Sequence, residues 1–385
     1  MPTTPIKNCL YRLALPFCAP RPDRQCLVLQ QGHSLMTGKH FVRIIRRHHV
    51  LGSSTLLSTP EAQMLLCTRS VAPDHLGTPD LYYRVASITK MASSLVALRS
   101  VQQGLCTLDD SICDFLPPEG RIPSLAQVTL RQLLSHTSGL LDPVNLDRFL
   151  EERVPFPQLF QSGKARTDGS GFHYSNLGFG LIGCILEYLW QKPIQDVFRH
   201  MLFEPFQLSA TLDASSLSDT QIMPVVRILP YQSGREMIRT RVGRLPLTEP
   251  EPLLHYGYTA GSMYIRIQSL HRLMELLVYR DPALLSEALY DEMFTVHGHY
   301  GPLSPTLSYG LGLLLIEDEK LSTSRIWGHQ GFAYGCADGA FWEEDTGNMM
   351  IMLNGGCSEA RCGRLGLCNR DLLRWAFRKE LPKWK

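Results

Sequence analysis

Two apolar runs, residues 50–57 and 62–68, are separated by Ser58-Thr59-Pro60-Glu61, a pattern that predicts a β-hairpin. The stretch from Ser87 onward then reads as a helix to Gln103, with Gly104 as its C-terminal stop. Between residues 105 and about 230 the periodicity is mainly helical and broken by prolines; residues 177–191 and, after Pro193, 194–203 are its clearest helices. Residues 229–252 are polar and rich in Arg and read as a long loop, and residues 267–279 as another helix. Short apolar or alternating runs return at 311–316, 325–328, 339–343 and 348–354, the last two joined by Glu344-Asp345-Thr346-Gly347, good hairpin chemistry. An amphipathic helix, 371–380, presents Leu372, Leu373, Trp375, Ala376 and Phe377. At the other end, residues 1–38 lack periodicity and read as an irregular leader, followed by a short helix near 39–49.

Strands at both ends with helices between them predict an α+β fold. One antiparallel sheet is closed by the two chain ends (about 39–104 and 253–385), and a mainly helical lobe (about 105–252) is inserted between them.

Composition removes several classes of function. The 385 residues are 44% hydrophobic and 19% charged, ordinary for a globular protein and wrong for disorder or a fibre. A formal charge of +2 supplies no general field for nucleic acid or an anionic membrane. Eleven scattered cysteines without a C-x-x-C or a paired Cys/His spacing predict reduced thiols and no metal site. Together with an N-terminus interrupted by Arg12 and Pro16, and no run long enough to span a bilayer, they predict a cytoplasmic protein.

The candidate chemistry begins with Ser87-Ile88-Thr89-Lys90, the only Ser-x-x-Lys in a chain with nine lysines. On a helix, residues three apart lie about 5–6 Å apart at Cβ, so the Lys90 amine hangs beside the Ser87 hydroxyl. A lysine can activate a serine only when burial or nearby positive charge draws its pKa toward neutrality. A capping serine beside a solvated lysine would leave the same trace. Tyr174-Ser175-Asn176, just before a helix, could turn a phenol and an amide into one cleft, or simply cap that helix. His329-Gln330-Gly331, on or beside a late strand, could offer a donor or a positive charge next to a glycine edge for a substrate backbone, or be a glycine-flanked turn.

In this order and at these wide spacings, the three motifs resemble the serine β-lactamase and penicillin-binding-protein superfamily, and Tyr-x-Asn resembles its class C branch. Segments 133–140, 203–206, 258–261 and 309–312 extend the likeness over roughly residues 81–353. The resemblance implies a β-lactamase/transpeptidase-like fold with a five-stranded antiparallel sheet, and a serine hydrolase working through an acyl-enzyme on an ester, D-amino-acid peptide or β-lactam, without cofactor or metal. Ser87 would be the nucleophile, Lys90 and Tyr174 its proton carriers, and Asn176, His329 and Gly331 the substrate-binding groups. The oxyanion would be held by the backbone N–H groups of Ser87 and Phe332, while the turn at His136 would be scaffold. His329-Gln330-Gly331 departs from the commoner Lys-Thr-Gly, which weakens the expected grip on a substrate carboxylate. The alternative on the same fold is a penicillin-binding, sensor or structural module without turnover.

Overall fold

The computed structural model describes residues 22–28, 35–71, 74–168, 171–225, 247–302, 304–333, 335–358 and 365–384. The expected hairpin is present as β2 (Ser53–Ser58) and β3 (Gln63–Val71). They join β1 (Pro22–Val28), β4 (Asp74–Leu76), β5 (Gly298–His299), β6 (Leu307–Tyr309), β7 (Leu314–Ile316), β8 (Ile326–Ala333), β9 (Cys336–Glu343) and β10 (Met349–Asn354) in one antiparallel sheet. The order is β1-β3-β2-β10-β9-β8-β7-β6-β5, with β4 added to β3. The two chain ends meet at the centre, where β2 pairs with β10 from Ser58 opposite Met349 to Ser53 opposite Asn354.

Ten strands replace the five expected, and β1 lies inside the stretch predicted as irregular. Its sequence, Pro-Asp-Arg-Gln-Cys-Leu-Val, has little strand character of its own; the unpaired edge of β3 supplies its hydrogen-bonding partner. The first helix, α1 (Leu35–Arg47), also starts before residue 38.

Both faces of the central strands are apolar, which is why they read as runs rather than as alternation. Leu57, Met64, Leu66, Met350 and Met352 face α1 and α6 (Leu367–Trp375), in a core with Phe41, Ile45, Leu372 and Trp375. Leu56, Leu65, Ile351 and Leu353 face the opposite way, in a core shared with α2 (Thr89–Gln102) and α5 (Ile267–Val278). Opposite faces follow from the two-residue side-chain period of a strand.

Between α2 and α5 the described chain carries short helices such as α3 (Leu130–Leu134) and one long helix, α4 (Asn176–Trp190). Of the loop predicted at 229–252, residues up to 246 lie outside those described, and 247–252 form neither helix nor strand. α4 lies so close to the backbone near Tyr256 that a Cβ at Gly180 would come within 1.6 Å of the Tyr256 carbonyl oxygen. Only glycine allows that approach, and it brings α4, α2 and the turn Tyr258–Gly261 together around Lys90.

Candidate active site

Ser87 sits in a tight 3₁₀ turn, Ala86–Ile88, that runs directly into α2. Ala86 holds φ at +45°, a left-handed conformation that costs an alanine about 1 kcal/mol or more. Surrounding contacts enforce it. The Thr89 hydroxyl donates to the Ala86 carbonyl at 2.6 Å and accepts the Met263 N–H at 3.1 Å. The turn leaves Ser87 partly exposed, while Lys90 one helical step on is fully buried.

The Lys90 amine lies 3.2 Å from Ser87 Oγ, 2.9 Å from Asn176 Oδ1 and 2.7 Å from the Ala260 carbonyl oxygen. The rings of Tyr174 and Phe179 stand 4.9 and 5.4 Å from it. Burial removes the water that would stabilise the ammonium and pulls its pKa down to about 7, against a smaller upward pull from Asp142. A neutral amine has two N–H groups and one lone pair. Ala260 and Asn176 take the two hydrogens, which leaves the lone pair for the Ser87 hydroxyl proton.

Asn176 is the first residue of α4, and Ser175 is its N-cap, accepting the Gly178 N–H at 2.9 Å. The capping alternative and the site alternative therefore both hold, on adjacent residues. Tyr174 is partly buried, its ring 4.2 Å from that of His136 and 6.3 Å from that of His329. His136 is buried, with φ at +60°; its Nδ1 accepts the Ser175 N–H, so this histidine fixes the approach to α4 as scaffold.

β8 carries the third motif. Its pairing with β7 covers Ile326 to Gly328, so the edge from His329 onward continues beyond the end of β7 and runs beside the Ser87 turn. The contact is close, because a Cβ at Gly331 would lie 2.2 Å from the Val85 carbonyl oxygen. Phe332 follows on the same strand, partly buried.

His329 corrects the expectation of a charge offered to substrate. Its ring is 2% exposed and turned inward, with Nδ1 donating to the Gln330 carbonyl at 2.6 Å. Nε2 therefore accepts from the Tyr309 hydroxyl at 2.8 Å. Burial, reinforced by Lys90, lowers its pKa to about 3, so the imidazole is neutral across the physiological range.

All three motifs thus converge around Lys90. Two further groups lie outside the three motifs: Asp142, whose carboxylate binds the start of α4, and the Ala260 carbonyl, from the segment 258–261 that extended the resemblance. Among the described residues there is no cluster able to hold a metal ion and no helix long and apolar enough to cross a membrane.

The sheet, its helical partners and the pairing of Ser87 with the buried Lys90 define a serine hydrolase of the β-lactamase and penicillin-binding-protein superfamily. The family model described as Beta-lactamase matches residues 69–354, and the chain belongs to that family. Esterase EstB of Burkholderia gladioli is 25% identical over 86% of this chain and 92% of its own. The D-alanyl-D-alanine-carboxypeptidase/endopeptidase AmpH of Escherichia coli is 29% identical over 34% of this chain and 37% of its own. Among solved structures, the D-amino acid amidase from Ochrobactrum anthropi SV3 complexed with D-phenylalanine aligns with a TM-score of 0.67 at 23% identity, covering 87% of this chain and 95% of that one. That similarity establishes the fold.

Proposed function

We propose that the protein hydrolyses carboxylic esters through an acyl-enzyme on Ser87, with D-amino-acid amides or peptides as slower substrates and β-lactams turned over poorly. The observation that carries this reading is the fully buried Lys90 amine, 3.2 Å from Ser87 Oγ and drawn to a pKa of about 7. Above that pH, Lys90 takes the hydroxyl proton as Ser87 Oγ bonds to the substrate carbonyl carbon. The backbone N–H groups of Ser87 and Phe332 receive the oxyanion, a contribution of about 2.7–4 kcal/mol for each donor. Collapse breaks the bond to the leaving alkoxide or amine, which takes the proton by way of Tyr174; water then attacks the acyl carbon by the reverse relay. Asn176 orients the substrate.

Preference for esters rests on the neutral, inward-facing His329, which offers no cation to a substrate carboxylate, and on the likeness to an esterase over 86% of this chain. The carboxypeptidase-like, class C character suggested by Tyr174-x-Asn176 is the second reading, supported by the local likeness to the carboxypeptidase/endopeptidase. The test is a panel of p-nitrophenyl esters, D-amino-acid amides, D-Ala-D-Ala peptides and a chromogenic cephalosporin, with intact-mass detection of the acyl adduct. Ester turnover with an adduct lost in Ser87→Ala is expected. No adduct on the wild-type protein would refute the reading, and stoichiometric acylation without turnover would favour a penicillin-binding module.

A further inference from the structure

Asn176 has one amide, and its orientation decides what Lys90 meets. With Oδ1 toward the amine, Asn176 accepts a hydrogen and leaves the lone pair to Ser87; with Nδ2 there, it would compete with Ser87 for that lone pair. A free asparagine gives no such guarantee. The cause of the observed orientation lies outside the three motifs, at Asp142, just beyond the turn that contains His136.

The Asp142 carboxylate accepts four hydrogen bonds, two on each oxygen. Oδ1 takes the Ser175 hydroxyl at 2.8 Å and the Leu177 N–H at 2.9 Å; Oδ2 takes the Asn176 N–H at 2.9 Å and the Asn176 Nδ2–H at 3.0 Å. The last bond admits only a donor, so the amide nitrogen is held on the Asp142 side and Oδ1 is delivered to Lys90. A cap for α4 would need only the backbone bonds, and Ser175 already satisfies Gly178. The side-chain bond to Asn176 has no helical purpose.

We propose that Asp142 is a positioning residue for the hydrolytic site: it fixes the Asn176 amide so that the Lys90 lone pair is directed at Ser87. This rests on the reading of Ser87 and Lys90 as nucleophile and base. Asp142 also adds charge. Lys90 is faced by the rings of Tyr174 and Phe179 and by the imidazoles of His136 and His329, both of which burial keeps neutral. Asp142 is the carboxylate that acts on it, from the solvent-accessible rim, and it favours the ammonium.

Asp142→Asn removes both effects. The new amide retains one acceptor for Ser175 and Leu177 and presents its NH₂ to Asn176, donor against donor, so Asn176 turns over to offer its oxygen and withdraws it from Lys90. The expected result, per active site titrated with a fluorophosphonate, is a fall in kcat of about 10- to 100-fold, with the acidic limb of the pH profile moved to lower pH. Asp142→Glu, which keeps the charge but displaces the acceptors, is expected to lose kcat with the limb in place. In an Asn176→Ala background, Asp142→Asn should cost little more, because the two residues act as one unit. Wild-type kcat and limb in Asp142→Asn, or a loss undiminished by Asn176→Ala, would overturn the proposal. Absence of a Ser87 adduct on the wild-type protein would instead remove the reading on which it rests.

Discussion

Replacing Lys90 with Met is the sharpest test of the buried-amine argument, because it separates catalysis from the electrostatic cost of the group. A lowering of the pKa from 10.5 to about 7 corresponds to roughly 5 kcal/mol of preference for the neutral amine in the fold. The unfolded chain keeps the proton up to its ordinary pKa, whereas the folded chain releases it near 7. Between those values the unfolded state binds more protons, so this group makes stability rise with pH by about 1.4 kcal/mol per unit; below pH 7 the penalty is fully present. Methionine has no such slope. It also strands the Ala260 carbonyl and Asn176 Oδ1, at about 1–3 kcal/mol each, but that cost does not titrate. Relative to wild type, Lys90→Met should therefore lose nearly 3 kcal/mol between about pH 7 and 9, read by urea unfolding followed through tryptophan fluorescence. Ester hydrolysis should fall about 10²- to 10⁴-fold at every pH. Parallel stability curves for the two proteins from about pH 6 to 9 would refute the neutral, buried Lys90.

Three other outcomes follow from named contacts. Gly331→Ala places a methyl 2.2 Å from the Val85 carbonyl oxygen and must displace either β8 or the Ser87 turn; kcat/KM per titrated site should fall at least about tenfold, and an unchanged value would mean that this approach does not set the geometry. Tyr309→Phe removes the hydroxyl that donates to His329 Nε2 in a fully buried setting and should cost about 1–3 kcal/mol in urea unfolding. Glu187→Ala strands the N–H groups of Ile194 and Glu251 and the Nδ1 side of the His255 ring at once. Loss of this buried carboxylate should cost about 3–5 kcal/mol, and activity should follow, since residues 255–261 deliver the Ala260 carbonyl to Lys90; a stability change below about 1 kcal/mol would show that water replaces it.

The legible elements were those with strong local causes. Helix α4 is legible to within one residue because a largely apolar run follows a serine able to cap it. The β2–β3 hairpin was read from two runs and a Pro-containing turn, and β9–β10 from a Gly-ended turn. β8 extends to Ala333, five residues beyond the apolar run ending at Gly328, because pairing with β9 continues through His329-Gln330-Gly331, residues with weak strand preference of their own. β1 escaped for the same reason: its polar sequence becomes a strand only against the edge of β3. His329 is legible as a position on or beside a late strand but not as a neutral ring, since that state comes from burial in the folded chain, reinforced by Lys90.

The sequence alone determined the pairing of Ser87 with Lys90, because a spacing of three on a helical segment fixes two side chains on one face whatever surrounds them. Tertiary structure decided what that pair can do. The Lys90 amine meets Asn176, 86 residues on, and the Ala260 carbonyl, 170 residues on, and its own side chain is fully buried. Proximity is a local property of the backbone, whereas a shifted pKa is a property of everything that replaces solvent, and that replacement exists only once α2, α4 and the 258–261 turn have packed together.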